Sequence, residues 1–136
     1  MKRFLLALVA ALFGWMVVAT LLDMLLRHAL AGYAAGEPTL SFTPGMMAAR
    51  LVLGALSSLF AGAVAAWVAP ADTRPPWVAG LVLLAMFLPE HVKLWDRLPL
   101  WYHLIFLVTL VPLVMLGARL ARRRSPPAPG TRAPTT

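Results

Sequence analysis

An apolar run without a single charge, FLLALVAALFGWMVVATLL, occupies Phe4 to Leu22 and limits this chain to very few folds. As a helix, its 19 residues would extend about 28 Å, close to the roughly 30 Å hydrocarbon core of a bilayer. The rest of the chain has the same character, because 61% of its 136 residues are hydrophobic, against about 45–50% in soluble domains. The run therefore predicts a transmembrane helix in a protein whose solvent is a lipid bilayer.

Three further apolar runs follow. The second extends from Met46 to Val68, and the fourth extends from Leu98 to Leu120. The third begins at Trp77 and reaches spanning length only if its helix continues through Pro89. We predict an all-α integral membrane four-helix transmembrane bundle, residues 1–120, with helices at about 4–30, 45–69, 76–94 and 98–120. Residues 121–136 are basic and rich in proline, which predicts a disordered cytoplasmic tail.

Basic residues are distributed unevenly between the two sides that four crossings define. The side with both termini carries eight basic residues and one acid, Asp72, whereas four basic and four acidic residues cancel on the other side. The eight basic residues are Lys2, Arg3, Arg74, Arg119, Arg122, Arg123, Arg124 and Arg132. Because basic residues concentrate on the cytoplasmic side, we predict a multi-pass protein of the bacterial inner membrane with both termini cytoplasmic.

This topology accounts for the net charge of +7, so we expect no nucleic acid among the partners. The expected partners are the lipid bilayer, anionic lipid at the arginine-rich C-terminus, and a membrane-protein partner or a second copy of the chain.

A cleaved signal peptide is the alternative interpretation of the first run. Ala29 to Ala31 fit the small-residue cleavage pattern before Gly32. However, the apolar run is longer than a signal core of about 7–15 residues, and Asp23, Arg27 and His28 separate it from the candidate cleavage position. We therefore favour a retained helix; cleavage would leave three spans.

A set of ionisable residues is predicted at the periplasmic ends of the helices, where charged groups are candidates for a functional site. This polar cluster comprises Asp23, Arg27, His28, Arg50, Glu90, His91 and His103. Asp23 and Arg27 are four residues apart and can pair on one helix face, and Arg50 can pair with Asp23 or Glu90 across the bundle. The simpler interpretation is a set of interfacial ion pairs and a solvated loop.

The segment LPLWYHLIF, which opens the fourth run, contains two aromatic residues and a histidine. Trp101 and Tyr102, with Trp95 before them, predict an aromatic belt at the headgroup level. Tyr33 falls at the same level. His28, His91 and His103 share this depth, but their spacing matches no metal or haem motif, and cysteine is absent. We expect no metal and no cofactor.

The second helix carries a small residue at every fourth position: Gly54, Ser58, Gly62 and Ala66. Such a stripe lets helix backbones approach closely in lipid, within one chain or between two. It predicts a central helix or a dimer face. Ser57 and Ser58 are expected to donate hydrogen bonds to carbonyls of their own helix.

Two segments resemble a known group of proteins. LPLWYHLIFLVTLVPLVMLGARL, Leu98 to Leu120, resembles the last helix of uncharacterised small four-span bacterial inner-membrane proteins, and LSSLFAGAVAAWVA, Leu56 to Ala69, resembles their second helix. The resemblance implies four spans and a bacterial source. It implies no activity and no site residues.

The sequence contains no GxSxG elbow and no phosphate-binding glycine loop, and we predict no catalytic residue. The favoured hypothesis is a non-enzymatic accessory subunit that binds a partner or has a structural role. An oligomeric small transporter or channel subunit with an outward-facing polar site is the alternative, and a haem- or metal-binding membrane protein is the third hypothesis.

Overall fold

The computed structural model describes residues 1–124, and these contain no strand. Five helices follow in order: α1 (Lys2–Ala29), α2 (Tyr33–Gly36), α3 (Pro44–Val68), α4 (Arg74–Lys93) and α5 (Leu100–Arg124). The four longer helices are each long and apolar enough to cross a membrane. The four apolar helices predicted from the sequence are thus confirmed in the described part of the chain.

The third predicted span forms one continuous helix, α4, with Pro89 inside it. It begins two residues before the predicted start, because Pro75 and Pro76 are accommodated in its first turn, where amide protons need no intrahelical partner. Its 20 residues extend about 30 Å, which is enough to cross the apolar core of a bilayer.

Helix α5 differs from its predicted bounds at both ends. It begins at Leu100, after Pro99, and it continues to Arg124, four residues into the predicted tail. Tertiary contacts explain the extension, because Ala121 is buried beside α3 and Arg122 donates to the carbonyl of Asp72 at 2.8 Å. The remainder of the predicted tail lies outside the described residues.

Helix α3 occupies the centre of the bundle, because it packs against α1, α4 and α5. It starts at a conventional cap, in which the Thr43 hydroxyl accepts the amide proton of Met46 at 3.3 Å. All four residues of the small-residue stripe are buried. Gly54 faces the ring of Phe106 on α5, and Ala66 packs with Ala118 and Ala121 of α5. The stripe therefore packs within the chain.

The closest approach of two helices is at Gly62 of α3 and Gly117 of α5. A Cβ added at Gly62 would overlap the carbonyl of Val114, and one added at Gly117 would overlap the carbonyl of Leu59. Each glycine thus receives a backbone carbonyl of the opposite helix. This reciprocal contact closes the middle of the bundle between α3 and α5.

Residues from all four long helices fill the core around Trp15. The Trp15 indole donates to the Ser58 hydroxyl at 3.1 Å, and Ser58 in turn donates to the Gly54 carbonyl at 2.7 Å. Ser57 donates to the Leu53 carbonyl at 2.8 Å, so the predicted bonds from both serines to their own helix are confirmed. The buried polar groups of this layer are satisfied within the chain.

Contacts between the helix termini define two ends of the bundle. At one end, the Arg74 guanidinium lies 5.6 Å from the centre of the Phe4 ring, and Arg122 bonds to the α3–α4 loop. We call this the basic end. The opposite end, where α1 and α4 finish and α3 and α5 begin, also holds α2, and we call it the polar end.

Candidate functional site

Asp23, on the last turns of α1, is the centre of a charged network at the polar end. Its Oδ2 accepts a hydrogen bond from Arg27 Nε at 2.9 Å, and its Oδ1 accepts one from the Tyr33 hydroxyl at 2.9 Å. Arg27 extends the network, since its Nη2 lies 3.1 Å from a carboxylate oxygen of Glu37. Both oxygens of Asp23 are therefore engaged, and the α1–α3 connection is tied to α1.

Arg50 joins this network from the second turn of α3. Its Nη1 donates to the Tyr33 hydroxyl at 2.7 Å and lies 3.8 Å from Asp23 Oδ1, while its Nε reaches the Tyr102 hydroxyl at 3.4 Å. Its Cζ lies 4.9 Å from the centre of the Phe42 ring, close enough for a cation–π interaction. Of the two partners predicted for Arg50, the structure places Asp23 beside it.

Tyr33 is fully buried and bridges the two charges, because its hydroxyl donates to Asp23 and accepts from Arg50. Burial raises the pKa of Tyr33 to about 12, and the hydrogen bond to Asp23 acts in the same direction, while Arg50 opposes both. The phenol is therefore neutral at physiological pH. The sequence placed Tyr33 in an aromatic belt, whereas the structure places it inside the protein.

The predicted histidines divide into a contacting pair and a separate residue. The Nδ1 atoms of His91 and His103 lie 2.7 Å apart, and their rings meet edge to face. His103 is fully buried and stacks on Trp95. His28 is exposed and contacts the carbonyl of Met24 on its own helix. Residues 1–124 contain no group of three or more His, Cys, Asp or Glu arranged to hold a metal.

The aromatic belt divides in the same way. Trp95 and Trp101 are 46% and 41% exposed, as headgroup-level residues would be, but Tyr102 is only 6% exposed. The physical reason is that the Tyr102 hydroxyl contacts the Arg50 guanidinium inside the bundle. Tyr102 therefore belongs to the polar network, which corrects its predicted place in the belt.

Glu90 lies outside the network of Asp23 and Arg50. It pairs with Lys93 on its own helix at 2.9 Å, and both side chains are more than half exposed. The predicted polar cluster thus lies at one end of the bundle, where it divides into the Asp23–Arg27–Arg50 network, the His91–His103 pair, the Glu90–Lys93 pair and the exposed His28.

A cavity of about 500 Å³ lies at the polar end between the four long helices. Its polar lining comes from Thr20, Asp23, Arg27, Arg50, Glu90, His91 and Tyr102. Its apolar lining comes from Trp15, Ala19, Leu40, Phe42, Leu53, Phe87, Leu94, Leu98 and Phe106. This size falls within the range of about 300–1,000 Å³ that holds small molecules, and a mostly apolar wall with a few convergent polar groups is typical of such sites.

The cavity lining includes Phe42, Phe87 and Phe106, which the sequence pattern did not predict as site residues. A phenylalanine in an apolar run carries no signal for a cavity, since most such residues pack in a core or face lipid. Comparison of the chain with protein-family models, with curated proteins and with solved structures gives no match.

Proposed function

We propose that this chain is a multi-pass protein of the bacterial inner membrane, with both termini in the cytoplasm. Two observations support the proposal. Four helices have the length and apolarity of membrane spans, and the contacts of Phe4, Arg74 and Arg122 bring the most basic segments to one end. The positive-inside rule assigns that end to the cytoplasm and the polar end to the periplasm.

Within the membrane, we propose a non-enzymatic accessory role in which the polar end binds a partner molecule. The observation that carries this proposal is the contrast between the two halves of the bundle. The polar end contains a cavity with charged and aromatic walls, whereas α3 and α5 meet backbone to backbone at Gly62 and Gly117 beneath it. A cavity above a closely packed layer suits binding from one side.

An outward-facing transporter subunit is the second candidate, and one observation favours it. Asp23, Arg50 and Glu90, which such a site requires, all line the same cavity. A membrane-embedded carboxylate is the usual proton-coupled group of a small exporter.

A transport assay separates the two roles. Cells that produce the wild-type chain or the Asp23→Asn variant would be compared for uptake and resistance with a panel of lipophilic cations. The accessory role predicts no difference between either chain and cells without it. Resistance conferred by the wild type and lost in Asp23→Asn would overturn the accessory role. Asp72→Asn, at the basic end, is the matched control.

A further inference from the structure

The hydrogen bonds around Arg50 leave donors without acceptors at the cavity. Arg50 uses Nε and Nη1 in its contacts with the two tyrosines, and its Nη2 has no partner among residues 1–124. Tyr102 accepts from Arg50, but its own hydroxyl proton has no acceptor in the described part of the chain. Both side chains line the cavity. Unused donors from a cation and a phenol therefore meet at one wall.

The histidine pair adds a third donor. Because the two Nδ1 atoms share one hydrogen bond, one ring donates its Nδ1 proton and the other accepts it. The Nε2 of His103 is buried without a partner, and a buried N–H without an acceptor is more costly than a buried lone pair. This assigns the Nδ1 proton to His103 and leaves His91 with its proton on Nε2. His91 is the member of the pair that lines the cavity.

The charges at the cavity are not equally compensated. Asp23 has its two oxygens occupied by Arg27 and Tyr33, and Glu90 is paired with Lys93. Arg50, in contrast, has two neutral phenols as its closest partners, with Asp23 farther away at 3.8 Å. The charge at this wall that is open to a ligand is therefore positive.

Another part of the lining is aromatic. The rings of Trp15 and Phe87 lie 4.8 Å apart, and those of Phe87 and Phe106 lie 5.2 Å apart, which gives a continuous apolar surface. A ligand that fits both walls has an apolar body and an acceptor head with negative charge.

We propose that the cavity binds a small amphiphile with an anionic oxygen head, a carboxylate or a phosphate. The head is held by Arg50, Tyr102 and His91, and the apolar chain lies against Trp15, Phe87 and Phe106. This inference rests on the proposed binding role of the polar end and names its ligand class. A carboxylate would come from a free fatty acid, and a phosphate would come from a lipid phosphate monoester.

The test is a binding measurement on the full chain in nanodiscs of phosphatidylcholine. Radiolabelled dodecanoate is dialysed against these nanodiscs, and its partition into empty nanodiscs is subtracted. Dodecyl phosphate, dodecanol and dodecyltrimethylammonium serve as competitors, because each carries the same twelve-carbon alkyl chain on a different head group. We expect saturable binding at one site per chain, with the two anions at least tenfold stronger competitors than the alcohol or the ammonium. The preferred anion identifies the source of the ligand.

Substitutions locate the binding in the cavity. Arg50→Gln removes a charged donor and is expected to weaken dodecanoate binding about 10- to 100-fold. Tyr102→Phe is expected to weaken dodecanoate binding about 2- to 10-fold. Arg74→Gln, at the basic end, is expected to have no effect. Thermal unfolding of each variant identifies a loss of fold, and Tyr102→Phe, which keeps the ring, tests the site if Arg50→Gln does not fold.

Three results would overturn the inference: no saturable binding, equal competition by dodecanol or dodecyltrimethylammonium, or anion binding unchanged in Tyr102→Phe and in Arg50→Gln where that variant folds. Each of these leaves the proposed accessory role untouched, because transport and topology are measured separately. Conversely, resistance that depends on Asp23 would overturn the accessory role without altering the head-group preference measured by dialysis.

Discussion

Replacing Gly62 with alanine tests whether the contact between α3 and α5 holds the bundle together. The added Cβ would lie 2.7 Å from the carbonyl carbon of Val114 and 2.9 Å from the amide nitrogen of Ala118. Ordinary contacts of a methyl group begin near 3.4 Å. The Val114 carbonyl oxygen would lie closer still, and all the obstructing atoms belong to backbone. No side chain can therefore rotate away, and the two helices must separate by more than about 1 Å.

The expected cost follows from the packing that this separation disturbs. Overpacking a close contact costs about 1–3 kcal/mol, and the shift also loosens the reciprocal contact at Gly117. We expect Gly62→Ala to lower the free energy of unfolding by about 2–3 kcal/mol. The measurement is unfolding of the purified chain in mixed micelles by a denaturing detergent, followed by circular dichroism.

Gly45→Ala is the matched control for this prediction. It makes the same substitution in the first turn of the same helix, where an added Cβ meets nothing closer than the Thr43 hydroxyl at 3.9 Å. We expect its stability to equal or slightly exceed that of the wild type, because alanine has the higher helix propensity. If Gly62→Ala unfolds at the same detergent fraction as Gly45→Ala, the account of the α3–α5 contact is refuted.

Two further predictions concern buried hydrogen bonds and titration. A pKa of Tyr33 raised from 10.0 to about 12 means that its neutral form is favoured in the folded protein, so its contribution to stability is complete below pH 10 and is lost as the pH rises through 12. The 295 nm absorbance difference between the wild type and Tyr33→Phe should therefore show little ionisation at pH 11; a midpoint near 10 would contradict the burial of Tyr33. Ser58→Ala leaves the buried Trp15 indole without its acceptor and should cost about 1–3 kcal/mol in the same unfolding assay. An effect no larger than that of Ser41→Ala, an exposed hydroxyl in the α2–α3 loop, would argue against that bond.

The number and type of the long helices could be predicted from the sequence, because each apolar run has the length that a bilayer requires. The continuation of α4 through Pro89 followed from the same length argument. The bonds from Ser57 and Ser58 to their own helix were also predictable, since they depend only on residues four positions away.

The composition of the site could be predicted only in part. Asp23 and Arg27 lie four residues apart on one helix, so their spacing was sufficient to predict their ion pair. The contacts of Tyr33 with Arg50, of Tyr102 with Arg50 and of His91 with His103 join different elements. They depend on the rotation of each helix about its axis, which a uniformly apolar run does not specify. The same reason explains why Tyr102 was predicted to face the headgroups.

The topology of the chain in the membrane is the most direct test of the whole account. The chain has no cysteine, so single cysteines can be introduced at exposed positions by Ala35→Cys and Asp96→Cys at the polar end and Ala71→Cys at the basic end. Intact cells are treated with a membrane-impermeant maleimide, and lysed cells serve as the control for reactivity. We expect labelling of the Ala35→Cys and Asp96→Cys variants in intact cells and of the Ala71→Cys variant only after lysis. Labelling of the Ala71→Cys variant in intact cells, or protection of either polar-end variant, would contradict a periplasmic binding site.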